Sequence, residues 1–260
     1  MKVSIYTSAH VPANGGLSYE EKLRVLKDVG FTSICLSFTQ HKADFEMSKA
    51  DQVKLADKYG FEVDAVHLSG TRMTTIWSET EDAEFVTQRA IDELTELKEL
   101  GLKTGVIHVT WGHAVPEPVS DSALARFRRI AEAADSLQVQ VALENSVYPE
   151  HVHFVLENLK NPYMGFCYDS GHENAFSPGE NYLDRYGHRL FAMHIHDNHG
   201  TDEHNLPFNG TIDWKHVMSQ LRKTELFNTK GIALECGARD MDYRTHMQQA
   251  YESVQRLMTL

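Results

Sequence analysis

The chain is short of cysteine, of long apolar runs and of concentrated positive charge, and each shortage removes a class of protein. Its three cysteines, Cys35, Cys167 and Cys236, are isolated and odd in number. With no Cys-x-x-Cys pair, a disulfide framework is not expected, and a reducing, cytoplasmic setting is. Nothing approaches the ~18 consecutive apolar residues that a membrane-spanning helix needs. Residues Met1–Tyr6 read as a strand, so a secretory leader is not expected either. Asp and Glu outnumber Lys and Arg 37 to 25, the net charge is -12, and no basic cluster stands out. Nucleic acid is therefore not expected as a partner. No Gly-x-Gly-x-x-Gly follows the first strand and no Gly-x4-Gly-Lys-Ser/Thr occurs, which weighs against a nucleotide-binding open sheet. At 42% hydrophobic and 24% charged residues the chain has the composition of a globular protein, and global disorder is excluded.

What is present is an alternation. Apolar, β-rich runs occur at Val3–Tyr6, Ser33–Phe38, Val63–His67, Gly105–Val109, Val139–Glu144, Met164–Asp169, Leu190–His194 and Gly231–Glu235. They are continuous rather than alternating in polarity, as suits strands of a parallel sheet buried on both faces. Helical patterns lie between them. Ser18 and Glu21 make a capping box ahead of Leu23, Leu26 and Val29. Val86, Ala90, Leu94 and Leu97 form one stripe, and Phe127, Ile130, Ala134 and Leu137 another. Pro149 suits a first helical turn, and Asp213 caps a helix bearing Trp214, Val217, Met218 and Leu221. Met247, Tyr251, Val254 and Leu257 mark the last helix. Eight strands alternating with about eight helices in 260 residues predict an α/β fold, a (β/α)8 TIM barrel, with residues 1–260 as a single domain. A doubly wound open sheet is the alternative. The irregular segments His10–Leu17, His67–Glu79, Thr110–Val119 and Asn198–Gly210 follow strands, and in a barrel such loops build the active-site face.

Fifteen histidines are the unusual feature of the composition, and several fall at strand exits. The third strand ends with His67, the fourth with His108 and the fifth with Glu144-Asn145. The sixth ends with Asp169-Ser170-Gly171-His172, the seventh with His194-Ile195-His196-Asp197-Asn198 and the eighth with Glu235. Strand exits of a closed barrel converge on one mouth. Three carboxylates there, Glu144, Asp169 and Glu235, would raise one another's pKa unless a cation compensated them. A divalent metal supplies that compensation, and imidazole with carboxylate suits Mn, Co, Fe or Zn. No cysteine is expected among the ligands; Cys236 follows Glu235 and points the other way. Asp169 and His172 are spaced to line the mouth together, and Asp202-Glu203-His204 lies in the following loop. The structural alternatives are buried histidines bonded to backbone carbonyls at His67 and His108, an exposed loop residue at His204, and a role for His196 and Asp197 in fixing the loop. By alternation, however, His196 shares a face with His194. Trp111, Trp77 and Phe38 lie near the mouth, as sugar-stacking platforms or as packing. Arg72, Arg239 and the loop glycines are the candidates for holding a phosphate.

The ordered set Leu143-Glu144-Asn145, Asp169-Ser170-Gly171-His172, His194-Ile195-His196-Asp197-Asn198, Asp202-Glu203-His204 with Leu206-Pro207, Gly210-Thr211-Ile212-Asp213-Trp214 and Leu234-Glu235 resembles the xylose isomerase-like barrel superfamily, in particular its sugar phosphate isomerase/epimerase branch. The resemblance covers nearly the whole chain. It implies a divalent metal (Mn, Co, Mg or Zn) held by Glu144, Asp169, His194 and Glu235, with Glu144 and Glu235 also acting as acid and base. His172 would bind substrate, and His67, His108 and His196 line the same pocket. The implied reaction is isomerisation or epimerisation of a small-molecule sugar through a cis-enediolate. Association into a homo-oligomer is common among such barrels.

The same superfamily includes endonuclease IV-type enzymes, which hold three zinc ions through nine ligands. Matches to all nine are present: His67, His108, Glu144, Asp169, His172, His194, Asp202, His204 and Glu235. By that likeness His172, Asp202 and His204 are additional metal ligands, and the function would be phosphodiester cleavage at abasic DNA. The neighbouring residues and the acidic or neutral loops favour the isomerase branch. A non-catalytic metal- or sugar-binding barrel is the third reading.

Overall fold

The computed structural model describes residues 2–7, 16–38, 47–237 and 241–260. Of the sequence features above, residues 10–15 of the first mouth loop and Arg239 lie outside the described residues. The eight expected strands all form: β1 (Val3–Ile5), β2 (Ser33–Ser37), β3 (Glu62–His67), β4 (Thr104–His108), β5 (Gln140–Glu144), β6 (Met164–Asp169), β7 (Leu190–His194) and β8 (Ile232–Leu234). The helices are α1 (Tyr19–Val29), α2 (Lys49–Lys58), α3 (Glu81–Glu99), α4 (Asp121–Leu137), α5 (Pro149–Asn158), α6 (Ser170–Phe176), α7 (Tyr182–Tyr186), α8 (Trp214–Leu221), α9 (Glu225–Lys230) and α10 (Tyr243–Met258).

Strands β2 to β7 pair in parallel in chain order, and β1 pairs in parallel with β8. Single bridges close both seams, Tyr6 to Cys35 and Ile195 to Leu234. The result is an eight-stranded parallel TIM barrel. All residues of β1, β6 and β8 are buried, which is why their sequences read as unbroken apolar runs.

Local chemistry sets the helices. Ser18 Oγ accepts from Glu21 N while Glu21 Oε2 accepts from Ser18 N at 2.8 Å, completing the capping box of α1. Pro149 sits at the start of α5, and Asp213 Oδ1 accepts from Lys215 N and His216 N at the start of α8. The apolar stripes of α3 and α4 lie in the core, apart from half-buried Leu137. Three short helices were not visible in the periodicity. Helices α6 and α7 both lie between β6 and β7, and α9 precedes β8; each is too brief to carry a 3.6-residue pattern.

Candidate metal centre

The strand exits deliver their side chains to one place. Glu144, Asp169, His194 and Glu235 each offer a ligand atom within 4.8 Å of the others. His194 Nδ1 lies 3.1 Å from Glu144 Oε1, 3.0 Å from Glu235 Oε2 and 3.6 Å from Asp169 Oδ2. Glu144, Asp169 and His194 are fully buried, and the Glu235 side chain is 19% exposed. The orientation of His194 comes from a residue that the sequence did not flag. Tyr6, one residue past β1, places its hydroxyl 2.8 Å from His194 Nε2, which turns Nδ1 toward the carboxylates. A ring nitrogen engaged in this way fixes which nitrogen is left for a metal.

Two further groups flank this one. His67 and His108 reach Glu144 Oε2 at 3.3 and 2.9 Å, and their Nε2 atoms are 3.1 Å apart. His67 Nδ1–H donates to Leu68 O, which turns its Nε2 toward Glu144. On the other side His172, His196, Asp202 and His204 share a second cluster. His172 Nδ1–H donates to Asn145 O and His204 Nδ1–H to Glu235 O. Their Nε2 atoms face Asp202 at 3.6 and 3.2 Å. The backbone-carbonyl bonds expected as a structural alternative at His67 are thus present, and they aim its other nitrogen into the site.

The supporting residues are specific. His196 Nε2 sits 3.0 Å from Asp169 Oδ1, and its ring stacks on His204 with centroids 4.0 Å apart and planes 8° apart. A Cβ on Gly171 would meet His196 Cε1 at 1.9 Å, so only glycine leaves room for the ring. Asn145 braces Asp169 by exchanging bonds with its backbone: Nδ2 donates to Asp169 O and Oδ1 accepts from Asp169 N, both at 2.8 Å. Asp197 holds the loop that brings in Asp202 and His204. Its carboxylate accepts from Asn198 N, Phe208 N, Ile212 N and Trp214 Nε1 at 2.8–3.2 Å. A two-way backbone bridge between Asp197 and Asn205 closes the loop, and His204 within it takes a left-handed φ of 53°.

Electrostatics tie the groups together. Burial acts to raise the Glu144 and Asp169 carboxyls, but the surrounding imidazoles overcome it and hold both well below the usual carboxylate range. Glu235 is held at about 2 in the same way, chiefly by His194. Against their own burial, His172 is raised well above the ordinary histidine value by Asp169, Asp202 and Glu144, His194 likewise by Cys167 first and then Glu144 and Glu235, and His204 to about 9 by Asp202 and Glu235. His108 goes the other way, because burial outweighs its bond to Glu144.

Even so, the hydrogen-bond inventory is incomplete. Both Glu144 oxygens and His194 Nδ1 are shut from solvent without a well-aligned hydrogen-bond partner. Buried polar atoms are rarely left so, because desolvating an unpaired group costs roughly 1–3 kcal/mol. A cation among these atoms would satisfy them, so the residues fit the metal that the spacing suggested.

Other sequence candidates separate. Trp77 is core, donating Nε1–H to Val109 O, and Phe38 is buried under Lys49. Trp111 is 36% exposed, 5.1 Å from the His108 ring. Arg72 pairs with Asp82 and lies over Phe85, on α3. Cys236 points away from the centre, toward Ile195 O and Asn205 O, as alternation predicts. Cys167 departs from expectation: its sulfur falls within 4.8 Å of ligand atoms of Glu144 and His194.

The family model for the xylose isomerase-like TIM barrel matches residues 23–259, and the chain belongs to that family. Two curated relatives are uncharacterised. Protein y4fM of Sinorhizobium fredii is 37% identical over 94 residues, covering 33% of this chain and 30% of that protein. Protein MJ1311 of Methanocaldococcus jannaschii is 27% identical over 131 residues, covering 46% and 44%. The chain thus spans less than half the length of either. Among solved structures, a xylose isomerase-like TIM barrel/4-hydroxyphenylpyruvate dioxygenase fusion protein superposes with TM-score 0.79 at 15% identity, over 99% of this chain and 42% of that one. L-ribulose 3-epimerase gives 0.76 at 16%, over 100% and 96%. The IOLI protein, solved with a bound zinc atom, gives 0.74 at 16%, over 100% and 97%. Among the described residues no helix is long and apolar enough to cross a membrane.

Proposed function

We propose that the chain is a divalent-metal-dependent isomerase or epimerase of a sugar, a sugar phosphate or a keto-polyol. One observation carries this reading: Glu144, Asp169, His194 and Glu235 meet at strand exits, with both Glu144 oxygens and His194 Nδ1 buried, crowded by charged neighbours and without a well-aligned hydrogen bond. Three carboxylates and one imidazole suit Mn, Co, Mg or Zn. When bound, such an ion supplies Lewis acidity toward a substrate carbonyl and its neighbouring hydroxyl. Glu235, the more exposed of the two glutamates, takes the proton from the carbon next to the carbonyl, leaving an enediolate. Glu144, beyond His194, takes up a proton passed from the His172 imidazolium 3.2 Å from its Oε1 and gives it to the opposite face to form the epimer. Return of the proton to the neighbouring carbon forms the aldose isomer. His67 and His108 hold Glu144 in place and edge the pocket, and His172 and His196 border the substrate from the other side. The epimerase among the structural neighbours supports the same class of chemistry. Glu235→Gln, with metal content unchanged, is expected to lower solvent-deuterium exchange into a turned-over ketose by ~10²–10⁴-fold. Exchange at the wild-type rate would refute the acid/base role.

The flanking groups favour a second reading, a three-zinc phosphodiesterase acting on abasic DNA. His67, His108 and Glu144 gather as one donor set, and His172, Asp202 and His204 fall within another. Elemental analysis separates the two: one ion per chain supports the isomerase, three zinc ions the phosphodiesterase. Cleavage of an abasic oligonucleotide then decides.

A further inference from the structure

Below the centre, the barrel interior holds a donor that the proposed chemistry does not use. Cys167 stands two residues before Asp169 on β6, so the two side chains share the inner face. The intervening pattern agrees, since Phe166 stacks on Tyr182 of α7 with ring centroids 5.7 Å apart. In register Cys167 is opposite Glu144 on one flank and Ala192 on the other, whereas Asp169 is opposite His194. The sulfur therefore lies about one layer deeper than the Asp169 carboxylate. Ligand atoms of Glu144, Cys167 and His194 fall within 4.8 Å of one another, and all three residues are fully buried. A cysteine alone would indicate nothing. Here the Glu144 carboxylate and the His194 imidazole, which carry buried polar atoms without a well-aligned hydrogen bond, adjoin it.

We propose, building on the metal-centre reading above, that Glu144, Cys167 and His194 form a deeper seat for a soft divalent cation, distinct from the carboxylate-rich seat completed by Asp169 and Glu235. Hard ions such as Mg or Mn favour oxygen donors, whereas soft ions favour sulfur. A soft ion exchanges two carboxylates for one thiolate and settles one layer down. A metal–sulfur bond forms, the S–H bond breaks, and the proton leaves to solvent; no electrons are transferred. Because Glu144 and His194 belong to both seats, the two ions exclude each other.

The probe is Cd2+ added to the whole chain after chelator treatment, with the sulfur-to-cadmium charge-transfer band followed in the ultraviolet. The band is expected in the wild type, in Cys35→Ser and in Cys236→Ser, and is expected to be lost in Cys167→Ser. Retained binding of Mn2+ by Cys167→Ser, which needs no sulfur, shows that this variant is folded. Should it not fold, the cadmium NMR resonance of the wild-type chain gives the answer without a variant, since thiolate coordination moves it far downfield of an all-oxygen and nitrogen site. A band absent from the wild type, a band retained in Cys167→Ser, or a cadmium resonance without the thiolate shift overturns the proposal. Failure of the isomerase reading would show elsewhere, as unchanged proton exchange in Glu235→Gln, and would leave the cadmium result standing.

Discussion

Replacing Gly171 by Ala tests how tightly the centre is held. Gly171 lies in helix α6, where alanine is intrinsically favoured by up to ~1 kcal/mol; without the neighbouring ring the substitution would stabilise the protein. The structure predicts the reverse. The added Cβ would lie 1.9 Å from His196 Cε1 and 2.3 Å from Nδ1, where ordinary contact begins at about 3.4 Å. The ring cannot retreat freely. Its other face stacks on His204 at 4.0 Å, and His204 is tied through Nδ1 to Glu235 O. Moving His196 breaks its 3.0 Å contact with Asp169. Overpacking of this kind destabilises by about 1–3 kcal/mol, equivalent to a fall in Tm of roughly 2–10 °C for a chain of this size. Because His196 braces a proposed ligand, metal affinity is expected to fall about 10–100-fold. Thermal unfolding with and without Mn2+, and competition against a chelator, measure both quantities. A variant at least as stable as the wild type, with unchanged affinity, would refute the account of His196 as a wedged support.

Tyr6→Phe keeps the ring but removes the hydroxyl from His194 Nε2. Metal affinity in chelator competition is expected to fall about 10–100-fold, with a change in the visible spectrum of the cobalt-loaded chain and an intact far-ultraviolet spectrum. Asp64→Asn tests a different buried carboxyl. Burial pushes Asp64 up from 3.8, against the opposing bond from Ser33 and the charge of Lys230. Its folded state therefore holds the proton more tightly than the unfolded chain, so its stabilising contribution is full below pH 3.8 and is lost as pH rises through the raised value. Urea unfolding between about pH 4 and 7 should show a smaller decline with pH in Asp64→Asn than in the wild type.

The strands were legible because a parallel strand buried on both faces must be apolar along its whole length, and the exits were legible because polar residues end those runs abruptly. Glu144, Asp169, His194 and Glu235 could be read in that way, each from its own strand. What supports them could not. Tyr6 and His194 are 188 residues apart, and nothing local in Val3–Tyr6 distinguishes a tyrosine that braces a histidine from one that fills a core. The need for glycine at 171 depends on where a ring from the next strand lands. No cysteine was expected near the ligands, because a lone cysteine in an apolar run such as Met164–Asp169 reads as packing until its neighbours are known. The reading of Trp77 and Phe38 as mouth residues followed from their nearness in sequence to strand exits. Trp77 instead turns inward, because its indole N–H finds the Val109 carbonyl.

Tyr6 has two attachments that belong to different levels of the molecule. Its backbone makes the single bridge between the first stave and Cys35, and its phenol reaches His194. Fraying of the amino-terminal edge and release of the imidazole are therefore linked events. By mass action, anything that grips His194 from the mouth also tightens the seam at the first stave.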